Sequence, residues 1–144
     1  MKSPPVLVPP QQGKPFKLYI SANDKTIGLA LMQEFEGKEW VVFYLSRRLL
    51  DLETRYSAMK KLCLCLYFSC TKLRHYLFLV ECIVVFKADV IKHMLSMPIL
   101  NGRMRKWIVA LSKFDLRYEV AKAVKGQVIA DFVTQHHKPS IGYM

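Results

Sequence analysis

Apolar and polar residues alternate from Phe16 to Ala22, which predicts a half-buried β-strand. Ile27 to Phe35 predicts a second strand, and Trp40 to Leu45, rich in aromatic and β-branched residues, a third. Asn23-Asp24-Lys25-Thr26 and Glu36-Gly37-Lys38-Glu39 carry turn chemistry between them, so the three strands read as an antiparallel meander. The period then changes. Tyr56, Met59, Cys63, Leu66, Cys70, Leu73 and Leu77 recur at spacings of three and four, the stripe of one long amphipathic helix from about Thr54 to Leu77. Cys82 to Phe86 is a short continuous apolar run, as expected of a buried strand. Val90 to Leu95 predicts a short helix stopped near Pro98, Gly102 to Ser112 a further helix, Leu116 to Val120 a fifth strand, and Gln127 to about Gln135 a last helix. The order predicts an α/β fold with a mixed five-stranded sheet: three strands, then helix, strand, helix, strand, helix.

The ends read differently. Five of the seven prolines fall within residues 1–15, which predicts an extended linker leading from something upstream. Residues 16–135 form the domain, and residues 136–144 a flexible tail holding His136 and His137. No apolar run approaches the roughly 18–20 residues of a membrane span, and prolines interrupt the N-terminal segment where a secretory signal needs an apolar stretch. These features predict an intracellular protein, not a secreted one, with no membrane partner. Cys63, Cys65, Cys70 and Cys82 form no C-x-x-C pair, so they read as buried free thiols rather than a zinc site.

Charge adds a partner. Twenty-two basic residues face eleven acidic ones, a net charge of +11, and such an imbalance points to nucleic acid. From Thr54 to Val80 there is no acidic residue, whereas a solvated helix face ordinarily mixes signs. Lys60, Lys61, Lys72, Arg74 and His75 lie off the apolar stripe, and Arg103, Arg105 and Lys106 cluster on the next helix. Either group suits phosphates, and either also suits plain solvation of a helix. Trp107, at helical spacing from Leu111, reads as core packing.

A series of landmarks resembles the ribonuclease H domain of gypsy-type retrotransposon reverse transcriptases, over roughly Pro4 to His136. They are Ser3-Pro4-Pro5-Val6-Leu7 with Pro15-Phe16-Lys17-Leu18-Tyr19, Gly28-Leu29-Ala30-Leu31-Met32-Gln33, Tyr44-Leu45-Ser46-Arg47-Arg48-Leu49, Glu53-Thr54-Arg55-Tyr56-Ser57, Leu73-Arg74-His75-Tyr76-Leu77, Gly102-Arg103-Met104-Arg105-Lys106-Trp107 and Lys125-Gly126-Gln127-Val128-Ile129-Ala130-Asp131-Phe132. The last two look most like plant elements. The resemblance implies a domain of a polyprotein, between an upstream polymerase and later domains, whose partner is an RNA–DNA hybrid. In such enzymes four carboxylates hold two Mg²⁺ ions that activate water and stabilise the leaving oxygen.

Carried onto this chain, the four ligand positions fare unequally. The first falls on Ser21 and the second on Leu62, beside Lys60 and Lys61. The third falls on Ala88, or on Asp89 if the alignment slips by one; Asp89 reads first as the helix N-cap of the segment from Val90. The fourth is Asp131, which without the resemblance reads as a surface acid. Mg²⁺ is a hard cation that takes carboxylate and water oxygens, and neither serine nor leucine replaces a charged ligand. The candidate catalytic and metal-binding residues are therefore Asp131 and Asp89, with Mg²⁺ lost or weakly held. Three readings follow: an impaired domain that binds the hybrid or tethers its neighbours, a working nuclease using Asp24, Asp89 and Asp131, or a decayed fragment.

Overall fold

The computed structural model describes residues 6–86, 102–120, 129–130, 134 and 141–142. The meander forms as expected: β1 (Phe16–Ala22), β2 (Thr26–Phe35) and β3 (Lys38–Arg48) are antiparallel neighbours. Asn23 closes the first turn, its side-chain oxygen accepting from the N–H groups of Lys25 (3.1 Å) and Thr26 (2.9 Å). The second turn narrows to Glu36 and Gly37, at φ 53° and 78°. Both are left-handed, as a two-residue hairpin loop requires if its twist is to match the strands. β4 (Cys82–Phe86) runs parallel to β1, and β5 (Leu116–Val120) runs parallel to β4. The five expected strands are all present. A sixth, β6 (Ile141–Gly142), lies within the segment expected to be a tail and pairs with β3 at Phe43 and Tyr44, giving the order β5-β4-β1-β2-β3-β6.

A bulge shapes β3. Leu31 pairs with Phe43 but Met32 pairs with Val41, leaving Val42 as an extra residue. Val42, Phe43 and Leu45 join one buried cluster, while Val41 and Tyr44 join the cluster on the other face. The bulge thus turns two consecutive side chains to one face, which is how the unbroken run Val41 to Leu45 is buried on both sides.

The helices cover the first face. The expected long helix is three pieces: a 3-10 turn (Glu53–Arg55), α1 (Ala58–Lys72) and α2 (Arg74–Leu77). Ser57 caps α1, accepting from the Lys60 N–H at 3.2 Å, a contact that contributes about 1 kcal/mol. The break comes at Leu73, at φ −102° and ψ 17°. Just before it, Ser69 Oγ donates to the Cys65 carbonyl (2.6 Å) and Thr71 Oγ1 to the Tyr67 carbonyl (2.9 Å). Such back-bonding loads carbonyls of the helix ladder and bends it. The predicted stripe faces the core: Cys63, Leu66, Cys70, Leu73 and Leu77 are buried, Tyr56 and Met59 partly so. α3 (Gly102–Leu111) packs against α1, with Trp107 buried between Tyr67 (ring centroids 6.1 Å apart) and Tyr56 (6.3 Å), so it is core, as its spacing predicts.

The second face is covered by the chain's two ends. Ile129 and Ala130, both helical, pack with Tyr19, Met32, Tyr44 and Val85. Leu7 packs against the same cluster, and the Val8 N–H donates to the Val41 carbonyl at 2.8 Å. Gln33, fully buried, holds the proline-rich arm in place: its Oε1 accepts from the Gln11 N–H (2.7 Å), and its Nε2 donates to the carbonyls of Gln11 and Lys14 (3.0 Å each). The residues expected as a linker are extended, and from Leu7 to Lys14 they are tied to the sheet.

Candidate functional site

β1 and β4, parallel neighbours at the centre of the sheet, end close together, and the candidate site lies at those ends. Ser21 stands one residue from the end of β1, opposite Gly28 of β2. Phe16, Leu18, Ile20 and Ala22 face α1, so alternation puts Ser21 on the other face with Tyr19. On that face Asn23 Nδ2 donates to the Thr134 carbonyl at 3.2 Å, which ties the last helical segment to the end of β1. Thr134 is itself buried and bonds back to the Ala130 carbonyl at 2.8 Å. Asp131, Asp89 and Ala88 lie outside the described residues, as do His136, His137 and the expected helix from Val90.

On the helix side the surroundings are neutral or positive. Leu62, on which the resemblance places the second ligand, is partly buried and packs against the main cluster. Cys65, one turn on, donates its thiol to the Gly28 carbonyl at 3.2 Å. Burial pushes that thiol up to about 12, which outweighs the smaller opposing influences of its polar neighbours, so it stays protonated. Lys61 is 8% exposed, and its ammonium donates to the Asp24 carbonyl at 3.2 Å. This corrects one expectation: Lys61 is not on the wet face of α1, because the helix turns it toward the β1–β2 turn, where it holds that turn against α1. Asp24 is exposed and lines an open depression of about 480 Å³ with Lys25, Arg48, Leu49, Asp51 and Thr54. Two Mg²⁺ ions need converging carboxylates; at the two described positions that the resemblance marks as ligands stand a hydroxyl and an isobutyl group. These residues do not fit the ions, and among the described residues no group of three His, Cys, Asp or Glu side chains is placed to hold a metal.

The basic residues divide. Lys72, Arg74 and Lys106 are exposed, as a phosphate contact requires. Lys60 is half-buried, its ammonium 4.1 Å from the centre of the Tyr56 ring. Arg103 and Arg105 lie on α3, and their side chains are outside the described residues. Sequence reasoning missed Arg47, which leans over Phe68 at 5.5 Å and pairs with Glu53 (3.0 Å); both acid and base sit inside landmark motifs, and their joint role is to fix the start of α1.

The matching family profile is that of the RNase H-like domain found in reverse transcriptase, over residues 11–114. The chain belongs to that family. This RNase H-like domain is also 27% identical, over 123 residues, to a retrovirus-related Pol polyprotein from the Drosophila melanogaster transposon opus, covering 85% of the chain and 12% of the relative. Its fold matches the foamy viral protease-reverse transcriptase in complex with double-stranded DNA (TM-score 0.64, 15% identity, 82% of this chain and 25% of that one). It also matches the same viral protein in complex with an RNA/DNA hybrid (TM-score 0.56, 15% identity, 83% and 17%). The domain thus spans a small part of each relative's length.

Proposed function

We propose that this RNase H-like domain is a nucleic-acid-holding part of a retrotransposon polyprotein that does not itself cut. The observation that carries the reading is the pair Ser21 and Leu62, which puts no carboxylate at either described ligand position, while the ammonium of Lys61 is held by the Asp24 carbonyl. Metal ions contribute several kcal/mol of transition-state stabilisation in such chemistry, and each 1.36 kcal/mol is tenfold in rate. Losing their ligands removes most of the rate while leaving the fold intact. A surface keeps its use where lysines and arginines face solvent without acids between them, as on α1 and α2 from Thr54 to Val80.

The ligand is an RNA–DNA hybrid, the element is of the gypsy type with a plant-like sequence, and the domain works inside the cell between an upstream polymerase and later polyprotein domains. The viral relative solved with a hybrid supports the choice of ligand. The test is binding of a labelled hybrid across a salt series. Lys72→Glu, Arg74→Glu and Lys106→Glu each remove one phosphate contact. Each should weaken binding and reduce the slope of log affinity against log salt by roughly 0.9, the value for one phosphate on a duplex. Binding that is absent, or that ignores salt, would contradict the reading.

A further inference from the structure

We infer that this domain carries a second nucleic-acid site, for an unpaired strand, where the α2–β4 and α3–β5 turns meet: a base stacks on the open face of Phe78, with phosphates on Arg74 and Lys113. Phe78 and Phe114 form a stacked pair, with centroids 4.8 Å apart and planes 22° from parallel. Phe114 is packed against the main core, while Phe78 is 54% exposed and the neighbouring Leu79 78% exposed. A large aromatic ring stacked on a partly buried partner and more than half exposed is unusual for a surface and costs little to order. The Phe78 N–H donates to the Arg74 carbonyl at 3.1 Å, so the two residues stand one helical turn apart. Arg74 and His75 on α2, and Lys113 next to Phe114 in the chain, are exposed.

Charge decides between nucleic acid and protein as the occupant. No acid occurs from Thr54 to Val80, and Glu81, the first beyond, is engaged by Arg117 at 2.9 Å. Asp115, the acid next to Phe114 in the chain, is exposed. An exposed aromatic face on a predominantly basic surface binds single strands without regard to sequence, because every base offers a π-face.

The site is separate from the candidate nuclease end. Phe16 of β1 is level with Cys82, just past the Phe78 turn, and Ser21 lies five residues along the strand, about 16 Å away. The inference shares with the proposed function the premise that the basic α1–α2 surface meets phosphates, Arg74 being common to both, but it names a different ligand and adds the Phe78 ring as the group that recognises it.

The experiment compares a labelled oligothymidylate with a blunt RNA–DNA hybrid, each titrated with the full chain, in the wild type, Phe78→Ser, Phe78→Trp and Lys113→Glu. Melting temperatures are recorded alongside. Phe78→Ser should weaken oligothymidylate binding by about fivefold to about 150-fold, the range for removing one stacked base. Phe78→Trp, which keeps the packing and enlarges the π-face, should tighten it, and hybrid binding should be unchanged in both. Oligothymidylate binding that persists unchanged in Phe78→Ser, that weakens in step with hybrid binding, or that is absent from the wild type would overturn the inference. Self-association that Leu79→Ser abolishes, without oligothymidylate binding, would assign the patch to a protein partner instead. Loss of hybrid binding alone, with the Phe78 dependence intact, would sink the proposed function and leave this inference standing.

Discussion

Replacing Glu53 by alanine removes three interactions at once. Its carboxylate lies 3.0 Å from Arg47 Nη1 as an ion pair, accepts from Arg47 Nη2 at 3.1 Å and accepts from the Leu50 N–H at 2.8 Å. The residue is 8% exposed, and the Arg47 side chain 28%. Alanine leaves a mostly buried guanidinium and a backbone N–H without their acceptor. Breaking a buried pair from one side costs about 3–5 kcal/mol; partial exposure of Arg47 and its remaining contact with Phe68 put the expected loss near the lower figure, about 3 kcal/mol. Glutamine keeps an acceptor for Leu50 but loses the charge, so Glu53→Gln should cost roughly half as much. The assay is urea unfolding of the wild type, Glu53→Ala, Arg47→Met and the double variant, read as a cycle. A coupling of about 2 kcal/mol is expected, with the melting temperature of Glu53→Ala lowered by about 10 °C. A loss below about 1 kcal/mol, or a coupling near zero, would refute the view that this pair fixes the start of α1.

Other expectations concern separate parts of the molecule. Gln33→Leu should release the proline-rich arm, so that hydrogen exchange at the Val8 and Gln11 amides accelerates while amides of β1 and β2 stay protected; equal exchange in both proteins would count against the clamp. Glu36→Asn should stabilise the fold by about 0.5–1 kcal/mol, since asparagine tolerates the left-handed backbone better, and a fall in urea midpoint would speak against the turn geometry. Burial pushes the thiols of Cys65 and Cys70 up to about 12, above their unfolded value of about 8.5. Because the folded value is raised, the stability held below about pH 8.5 is lost as pH climbs toward 12. Each thiol should steepen the decline by up to about 1.4 kcal/mol per pH unit, and Cys65→Ala should flatten it; an unchanged slope would contradict the burial.

The strands and the core stripe running through α1 and α2 were legible because side-chain period alone sets them. Phe16 to Ala22 alternates, and Cys63, Leu66, Cys70, Leu73 and Leu77 share a face, whatever packs against them. What depends on a distant partner was not legible. The break at Leu73 has no glycine or proline to announce it; it follows from Ser69 and Thr71 bonding back along the helix. Lys61 reads as one more solvated lysine until the β1–β2 turn brings the Asp24 carbonyl to its ammonium. Gln33, Arg47 and Glu53 belong to landmark motifs, where a polar residue invites a catalytic role. The structure gives each a structural one: Gln33 holds the arm, and Arg47 with Glu53 holds the loop before α1. The exposed Phe78 carries no sequence signal, since a phenylalanine after an apolar stripe reads as core.

The most direct measurement of the central claim is single-turnover cleavage of a labelled RNA–DNA hybrid with Mg²⁺ or Mn²⁺, with binding recorded in the same titration and Asp131→Asn as the control. The account predicts salt-sensitive binding with no cut strand above the metal-only background, in the wild type and the variant alike. Metal-dependent cutting that Asp131→Asn abolishes would contradict it and would mean that a reduced carboxylate site still works.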